Sequence, residues 1–262
     1  MISGYVPAGG VDHYYEDHGR GRPLILLHGA LGTIESCFAE LLPRLAARRR
    51  VIAVELQGHG HTADIDRPLS YDQLSDDAAA VAEALGVTPV DFVGYSMGGA
   101  VAFGVAMRHP HLVRRVVHAG GACYSPDGIY PELLAGGEAD PADLAGSPWE
   151  QAYLRVAPDP SAWPKLVTKI GALDTGFAGW TADEVRAVTA PILLVIGDSD
   201  LVRPEHTAEM FRLLGGGVFG DMGPMPDSQL AVLPGTSHVG MLERTDWLES
   251  MIFGFLDRDS VP

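Results

Sequence analysis

The hexapeptide Gly94-Tyr95-Ser96-Met97-Gly98-Gly99 stands directly after the apolar run 90–93 and directly before the helix-like run 100–108. A short apolar run of this kind reads as a buried strand, so the chain must pass from strand to helix within six residues. Gly94 and Gly98 permit so sharp a reversal because neither has a side chain to clash across the bend. Ser96 is then presented at the carboxyl edge of a sheet, with the amino end of a helix beneath it. Positive potential and free backbone N–H groups at that end stabilise negative charge developing beside the hydroxyl.

The rest of the chain alternates strand-like and helix-like stretches, which predicts an α/β fold with a mostly parallel central sheet flanked by helices. Residues 11–16 read as an early strand entering before the parallel part, and 23–27, 51–55, 113–119, 191–196 and 228–233 read as buried strands. A helix is expected from near Glu35 to Arg48-Arg49-Arg50, whose cations complement the negative helix end. Ser70-Tyr71-Asp72-Gln73 reads as a capping box opening a helix that stops at Gly86. Between 123 and 188 no strong strand is visible, and the helix-sized pieces 131–135, 141–144, 148–156 and 161–173 are separated by Pro and Gly. The glycine-rich stretch 215–226 exceeds a usual connection and reads as a surface loop or packing arm. It does not cradle phosphate, since its glycines open no helix with a following Lys and Ser or Thr.

Four motifs fall in one order, each at a strand end: His28-Gly29-Ala30-Leu31-Gly32, the Ser96 turn, Gly197-Asp198-Ser199-Asp200, and Pro234-Gly235-Thr236-Ser237-His238. In this order the chain resembles the α/β-hydrolase superfamily along nearly its whole length. The resemblance implies a nucleophile elbow at Ser96, a base at His238, and a loop at His28–Gly32 that supplies an oxyanion donor. It further implies a helical cap at 123–188, inserted between a first core part at 1–122 and a second at 189–262. The segment Leu56-Gln57-Gly58-His59-Gly60-His61-Thr62 resembles the family's glycine-rich loop, and His59 and His61 stand outside the triad order, so both read as loop-structural. His28 reads as orienting its own loop, while His109, His111 and His118 read as helix-end or strand-end residues.

The family position of the acid, three residues past the glycine that ends the strand, falls on Asp200. Asp198 is the alternative, nearer the strand end and suited to loop hydrogen bonding, and Asp221 and Asp227 lie in the irregular arm. Ser96 would attack a carbonyl carbon, with His238 as general base and the carboxylate holding the imidazole tautomer. The oxyanion would be held by the backbone N–H groups of Met97 and Ala30, with Leu31 as the fallback for the second donor. Leu31, Tyr95 and Val239 beside the site, and Trp149, Tyr153 and Trp163 in the cap, are candidate substrate contacts. Phe177 and Trp180 are further pocket walls. Most such aromatics form the cap's own core, with one or two reaching substrate.

Ser96 in place of aspartate argues against epoxide opening and halide displacement, which relatives carry out with an aspartate nucleophile. The leading expectation is a serine hydrolase of a small to medium carboxylic ester or lactone, working through an acyl-enzyme. A carbon–carbon hydrolase of a ring-cleavage product is an alternative, but its anionic substrate calls for Arg or Lys, and the cap offers Arg155, Lys165 and Lys169. A cofactor-free perhydrolase and a non-hydrolytic ligand sensor on the same fold are the others. The net charge of −16 argues against nucleic acid and anionic membrane as partners. No histidine stands at tight spacing with carboxylates on one element, so no metal is expected, and no organic cofactor is implied. With 262 residues and 47% hydrophobic content, a monomer or small homo-oligomer with one large core is expected. No run approaches the roughly 18 apolar residues of a membrane span. The first residues show neither a basic head nor an apolar stretch, which favours a cytoplasmic location. Cys37 and Cys123 are expected as free thiols, and Cys123, just past a strand end and so a candidate neighbour of the site, reads better as a packed thiol.

Overall fold

In a computed structural model, which describes residues 1–135 and 140–258, eight strands form one sheet. They are β1 (Ile2–Ala8), β2 (Val11–Gly19), β3 (Pro23–Leu27), β4 (Arg50–Val54), β5 (Val90–Tyr95), β6 (Val113–Ala119), β7 (Ile192–Ser199) and β8 (Gln229–Ser237), in the spatial order 1-2-4-3-5-6-7-8. β1 and β2 pair antiparallel, as do β2 and β4, and every later pair is parallel. The expected mostly parallel α/β sheet is therefore present.

The central strands are rich in apolar residues because both faces of the sheet are covered there, and β3 and the first five residues of β7 are unbroken apolar runs. Ile25, Leu27, Ile52, Val54, Phe92, Val116, Ile192 and Leu194 pack on one side, against α3 (Tyr71–Ala84) and α4 (Met97–Arg108). Their alternating neighbours Leu24, Leu26, Val51, Ala53, Val93, Val117, Leu193 and Val195 pack on the other. There they meet α1 (Ile34–Phe38), α2 (Leu41–Ala46) and the C-terminal helix α10 (Thr245–Leu256). Each fully buried Leu, Ile or Phe of these layers contributes about 1.5–3 kcal/mol relative to an exposed one.

Five local features differ from expectation. β1 was not foreseen, because it is an edge strand that buries only Val6 and Ala8 and so shows little alternation. The helix expected from Glu35 onward is two short helices: Thr33 caps α1 with a full capping box, and Pro43 sits in the first turn of α2, where its missing N–H is tolerated. The arginines 48–50 lie beyond that helix and form ion pairs in place of complementing its end. Arg50 opens β4 and pairs with Asp17 at 2.7 Å, Arg48 pairs with Asp257 at 2.9 Å, and buried Arg49 bridges Asp91 and Asp257. At Ser70 only half of the capping box forms, since Ser70 Oγ accepts from the Gln73 N–H while the Gln73 amide donates to Asp77.

β8 continues through Pro234 and Gly235 to Ser237, beyond the expected end, because it is the other edge of the sheet and needs no outward ladder bond there. The insertion after β6 is helical: α5 (Pro131–Ala135), a 3₁₀ turn at Pro141–Leu144, α6 (Pro148–Val156), α7 (Trp163–Gly176) and α8 (Ala182–Arg186). Residues 136–139 of the expected cap lie outside the described residues. α7 is strapped to the loop after β4: Lys169 Nζ donates to both Asp64 carboxylate oxygens (2.6 and 2.8 Å) and to the carbonyls of Ile65 and Arg67. α9 (Pro204–Leu213) follows β7, and the glycine-rich arm after it leaves Val218, Phe219, Met222 and Met225 exposed. Among the described residues, no helix is long and apolar enough to cross a membrane.

Candidate active site

Ser96 occupies the junction of β5 and α4 with φ 53° and ψ −122°, a strained conformation for a residue with a side chain. The surrounding backbone enforces it. A Cβ at Gly94 would lie 2.1 Å from the Gly98 carbonyl oxygen, and one at Gly98 would lie 2.2 Å from that of Leu27. The Ser96 N–H donates to the Ala119 carbonyl at 2.8 Å, and its own carbonyl accepts from Gly99 and Ala100, locking the turn to β6 and to the first turn of α4.

The end of β8 brings His238 to this hydroxyl. His238 Nε2 lies 2.9 Å from Ser96 Oγ, and Nδ1 lies 2.7 Å from Asp200 Oδ1. Asp200, just past β7, is buried and accepts further N–H bonds from Leu201 on Oδ1 and from Gly121 and Gly197 on Oδ2. Burial opposes its ionisation, but His238 and these N–H groups outweigh burial and hold the carboxyl below its ordinary range. Asp198 takes the other role weighed for it: its oxygens accept from the Gly235 and Thr236 N–H groups and tie the ends of β7 and β8 together.

The N–H groups of Ala30 and Met97 have no protein acceptor among the described residues. Leu31, the fallback donor, is already spent: its N–H donates to His59 Nε2 at 3.2 Å, and the residue sits at φ 59°. His59 in turn donates from Nδ1 to the Gln57 carbonyl at 2.9 Å. His28 mirrors this arrangement, with Nδ1 donating to the Gly29 carbonyl at 2.8 Å and Nε2 accepting from the Leu56 N–H at 3.1 Å. Burial pushes both imidazoles down to about 4, so they stay neutral and each keeps one donor and one acceptor nitrogen. Together they clamp the 28–32 loop to the loop after β4. Buried Glu55 adds a third tie, accepting from Ile34 N–H and from both the N–H and the Nδ1 of His61.

The candidate substrate contacts separate into groups. Tyr95 is a correction: 8% exposed, it donates its hydroxyl to the His238 carbonyl at 3.0 Å and stacks on the imidazole, so it positions the base from behind. Tyr153 and Trp163 are also corrections, 4% and 2% exposed and packed on one another as the cap's own core. Trp149 and Leu31 are half-buried at the edge of that core, and Val239 is exposed next to His238. The sequence reading missed the positioning role of Tyr95 and the paired histidine clamp. Tyr95 fits there because Gly29 and Gly120 have no side chains to meet its ring, while for His28 and His59 the sequence reading gave separate loop-structural roles and not their pairing. The four cations of the insertion all have carboxylate partners: Arg155 pairs with Glu35 at 3.6 Å, Lys165 and Lys169 share Asp64, and Arg186, which the sequence reading passed over, pairs with Asp183 at 2.6 Å. Among the described residues no cluster of three or more His, Cys, Asp or Glu is placed to hold a metal ion.

The model of the alpha/beta hydrolase family matches residues 24–250, from the start of β3 into α10. The chain belongs to this family. The hydrolase is 26% identical over 276 residues to 2-hydroxy-6-oxo-6-(2'-aminophenyl)hexa-2,4-dienoic acid hydrolase of Metapseudomonas resinovorans, covering 98% of this chain and 91% of that one. It is 28% identical over 257 residues to the pimeloyl-[acyl-carrier protein] methyl ester esterase of Neisseria meningitidis serogroup A, covering 90% and 77%. Among solved structures it is similar to a serine hydrolase involved in carbazole degradation, with a TM-score of 0.75, 27% identity and 98% of both chains covered. The relatives of this hydrolase thus include ester hydrolases and carbon–carbon hydrolases alike.

Proposed function

We propose that this hydrolase cleaves a small to medium carboxylic ester or lactone through Ser96, His238 and Asp200. The observation that carries the reading is one continuous hydrogen-bond chain, Ser96 Oγ to His238 to Asp200, beside two unpaired backbone N–H groups. As Ser96 Oγ attacks the carbonyl carbon, its proton passes to His238 Nε2, and the carbonyl π electrons move onto oxygen, to which the Ala30 and Met97 N–H groups donate. Collapse of the tetrahedral intermediate breaks the bond to the alcohol oxygen, which takes the proton from His238. Water, deprotonated by the same imidazole, then attacks the acyl carbon and frees Ser96.

Ester chemistry is favoured over cleavage of an anionic dienoic acid because Arg155, Lys165 and Lys169 each already face a carboxylate. Arg186 likewise faces Asp183, so among the described residues no cation of the insertion is without a carboxylate partner, although Lys165 and Lys169 share the single one of Asp64. Turnover of p-nitrophenyl esters from acetate to decanoate tests the reading. Wild type should release p-nitrophenolate with an initial burst equal to the enzyme present, and Ser96→Ala should show neither burst nor steady turnover. If wild type matches Ser96→Ala on every ester, the ester reading fails, and carbon–carbon hydrolysis or ligand sensing takes its place.

The histidine clamp gives a second, smaller expectation. His59→Leu frees the Leu31 N–H and loosens the loop that carries Ala30. Removing an oxyanion donor outright costs about 10²–10³ in kcat, so displacing one should lower kcat on the order of tenfold. KM should change little, because the ground-state ester makes weaker use of that donor. A fall in kcat/KM arising wholly from KM would show that the clamp shapes binding instead.

A further inference from the structure

The glycine-rich arm after α9 has no part in the chemistry of Ser96, yet with β8 it forms a broad apolar surface. Val218, Phe219, Met222 and Met225 of the arm and Val232 of β8 are each between 45% and 85% exposed. Side chains left that open present roughly 500 Å² of apolar area, close to the largest patch that a monomer usually shows. The same stretch is nearly free of charge. Charged residues make up 20% of the chain, but residues 214–237 contain only Asp221 and Asp227. At a net charge of −16, two copies of the chain repel one another over most of their surface, and least of all here.

β8 is also an open edge. It pairs with β7 on one side and has no strand on the other. Among the described residues no backbone hydrogen bond from outside the sheet reaches residues 229–233. The outward N–H and C=O groups of this run are therefore unclaimed by the chain's own backbone. Sheet edges are ordinarily blunted by a charge, a proline or a bulge. None interrupts residues 229–233, whose register against 193–197 is regular, and Pro234 closes the run. At the opposite edge β1 contains Pro7, and its exposed Tyr5 is met edge-on by Tyr14 of β2.

We infer that β8 is the seam between two copies of this chain, paired antiparallel, strand to strand. Antiparallel pairing of a strand with its own copy has two-fold symmetry, so the contact is self-complementary and closes at two chains. The two sheets then run on as one, with the ladder of 229–233 at the join and one apolar arm at each end of it. The strand alone offers too little area for a stable pair, but with the arms the burial approaches the roughly 800 Å² per partner of a standard interface. Charge selects the occupant. A basic partner would be drawn to the acidic remainder of the surface, whereas a copy, itself acidic, is tolerated best where charge is lowest.

Sedimentation velocity on the whole chain, from about 0.5 to about 50 µM, should show a dimer that dissociates on dilution. Val232→Lys places an ammonium on the edge, and the double variant Phe219→Ser with Met222→Ser removes apolar area from the arm. Each should raise the dissociation constant by roughly thirtyfold or more. All three side chains are exposed, so the fold of the single chain should survive, which far-ultraviolet circular dichroism checks. Hydrogen exchange locates the seam without any substitution: the amides of 229–233 should exchange more slowly at the high concentration than at the low one, while those of β1 stay unchanged. A chain that remains monomeric at the highest concentration overturns the inference. So does a dimer that both variants leave intact, or one whose formation does not slow exchange in 229–233.

Discussion

Asp200→Asn is expected to lower kcat on a p-nitrophenyl ester by roughly 10⁴-fold with the fold retained. The carboxylate has donors on both oxygens: Leu201 N–H and His238 on Oδ1, Gly121 N–H and Gly197 N–H on Oδ2. An amide has one acceptor oxygen. Two fixed backbone donors pull that oxygen to the Oδ2 position, which turns the NH₂ group toward His238 Nδ1. The imidazole must then accept at Nδ1 and carry its proton on Nε2, where it cannot take the Ser96 proton. Asp198→Asn is the control. Among the described residues Asp198 meets only the Gly235 and Thr236 N–H groups and its neighbour Ser199, so its substitution should lower kcat by less than about tenfold. Steady-state kinetics of both variants decide the matter. Equal losses, or a larger one in Asp198→Asn, would remove Asp200 from the proposed triad.

The parts of this fold that were legible in the sequence are those with strong local signals. The buried strands β3, β5, β6 and β7 are covered on both faces, so apolar residues dominate them even where Asp91 or Arg114 and Arg115 interrupt, and the turn at Ser96 needs glycines because a Cβ there would meet backbone. β1 was hidden because an edge strand with one wet face has little pattern to show. The arginines 48–50 misled because a cation near a helix end has a local explanation, whereas their partners Asp17, Asp91 and Asp257 are remote in sequence. The same limit applies to the site. Order along the chain pointed to Ser96, Asp200 and His238, but the spending of the Leu31 N–H on His59 and the stacking of Tyr95 on His238 depend on loops that meet only in three dimensions.

Acid should unfold this protein well above the range in which carboxylates alone titrate. His28, His59 and His118 are buried, and burial lowers each from 6.5 to about 4. In the unfolded chain the same imidazoles take up protons from pH 6.5 downward. The unfolded state therefore binds more protons between about 6.5 and 4, and stability, complete above that window, falls as pH falls through it. By pH 4 each histidine removes up to about 3 kcal/mol, and three together rival the 5–15 kcal/mol that holds an ordinary domain folded. Asp174 and Asp91 act in the opposite sense because their carboxyls are raised, while Asp64, Asp76 and Asp200, which are lowered, add to the loss at still lower pH. Urea unfolding midpoints from pH 8 to pH 4.5 should thus drop steeply below 6.5. His118→Leu isolates one contributor. Neither nitrogen of His118 has a hydrogen-bond partner among the described residues, so an apolar side chain of similar size should be neutral or stabilising at pH 8 and should flatten the acid slope. A midpoint that stays level down to pH 4.5, or a His118→Leu slope identical to that of wild type, would mean that these imidazoles are not held neutral by burial.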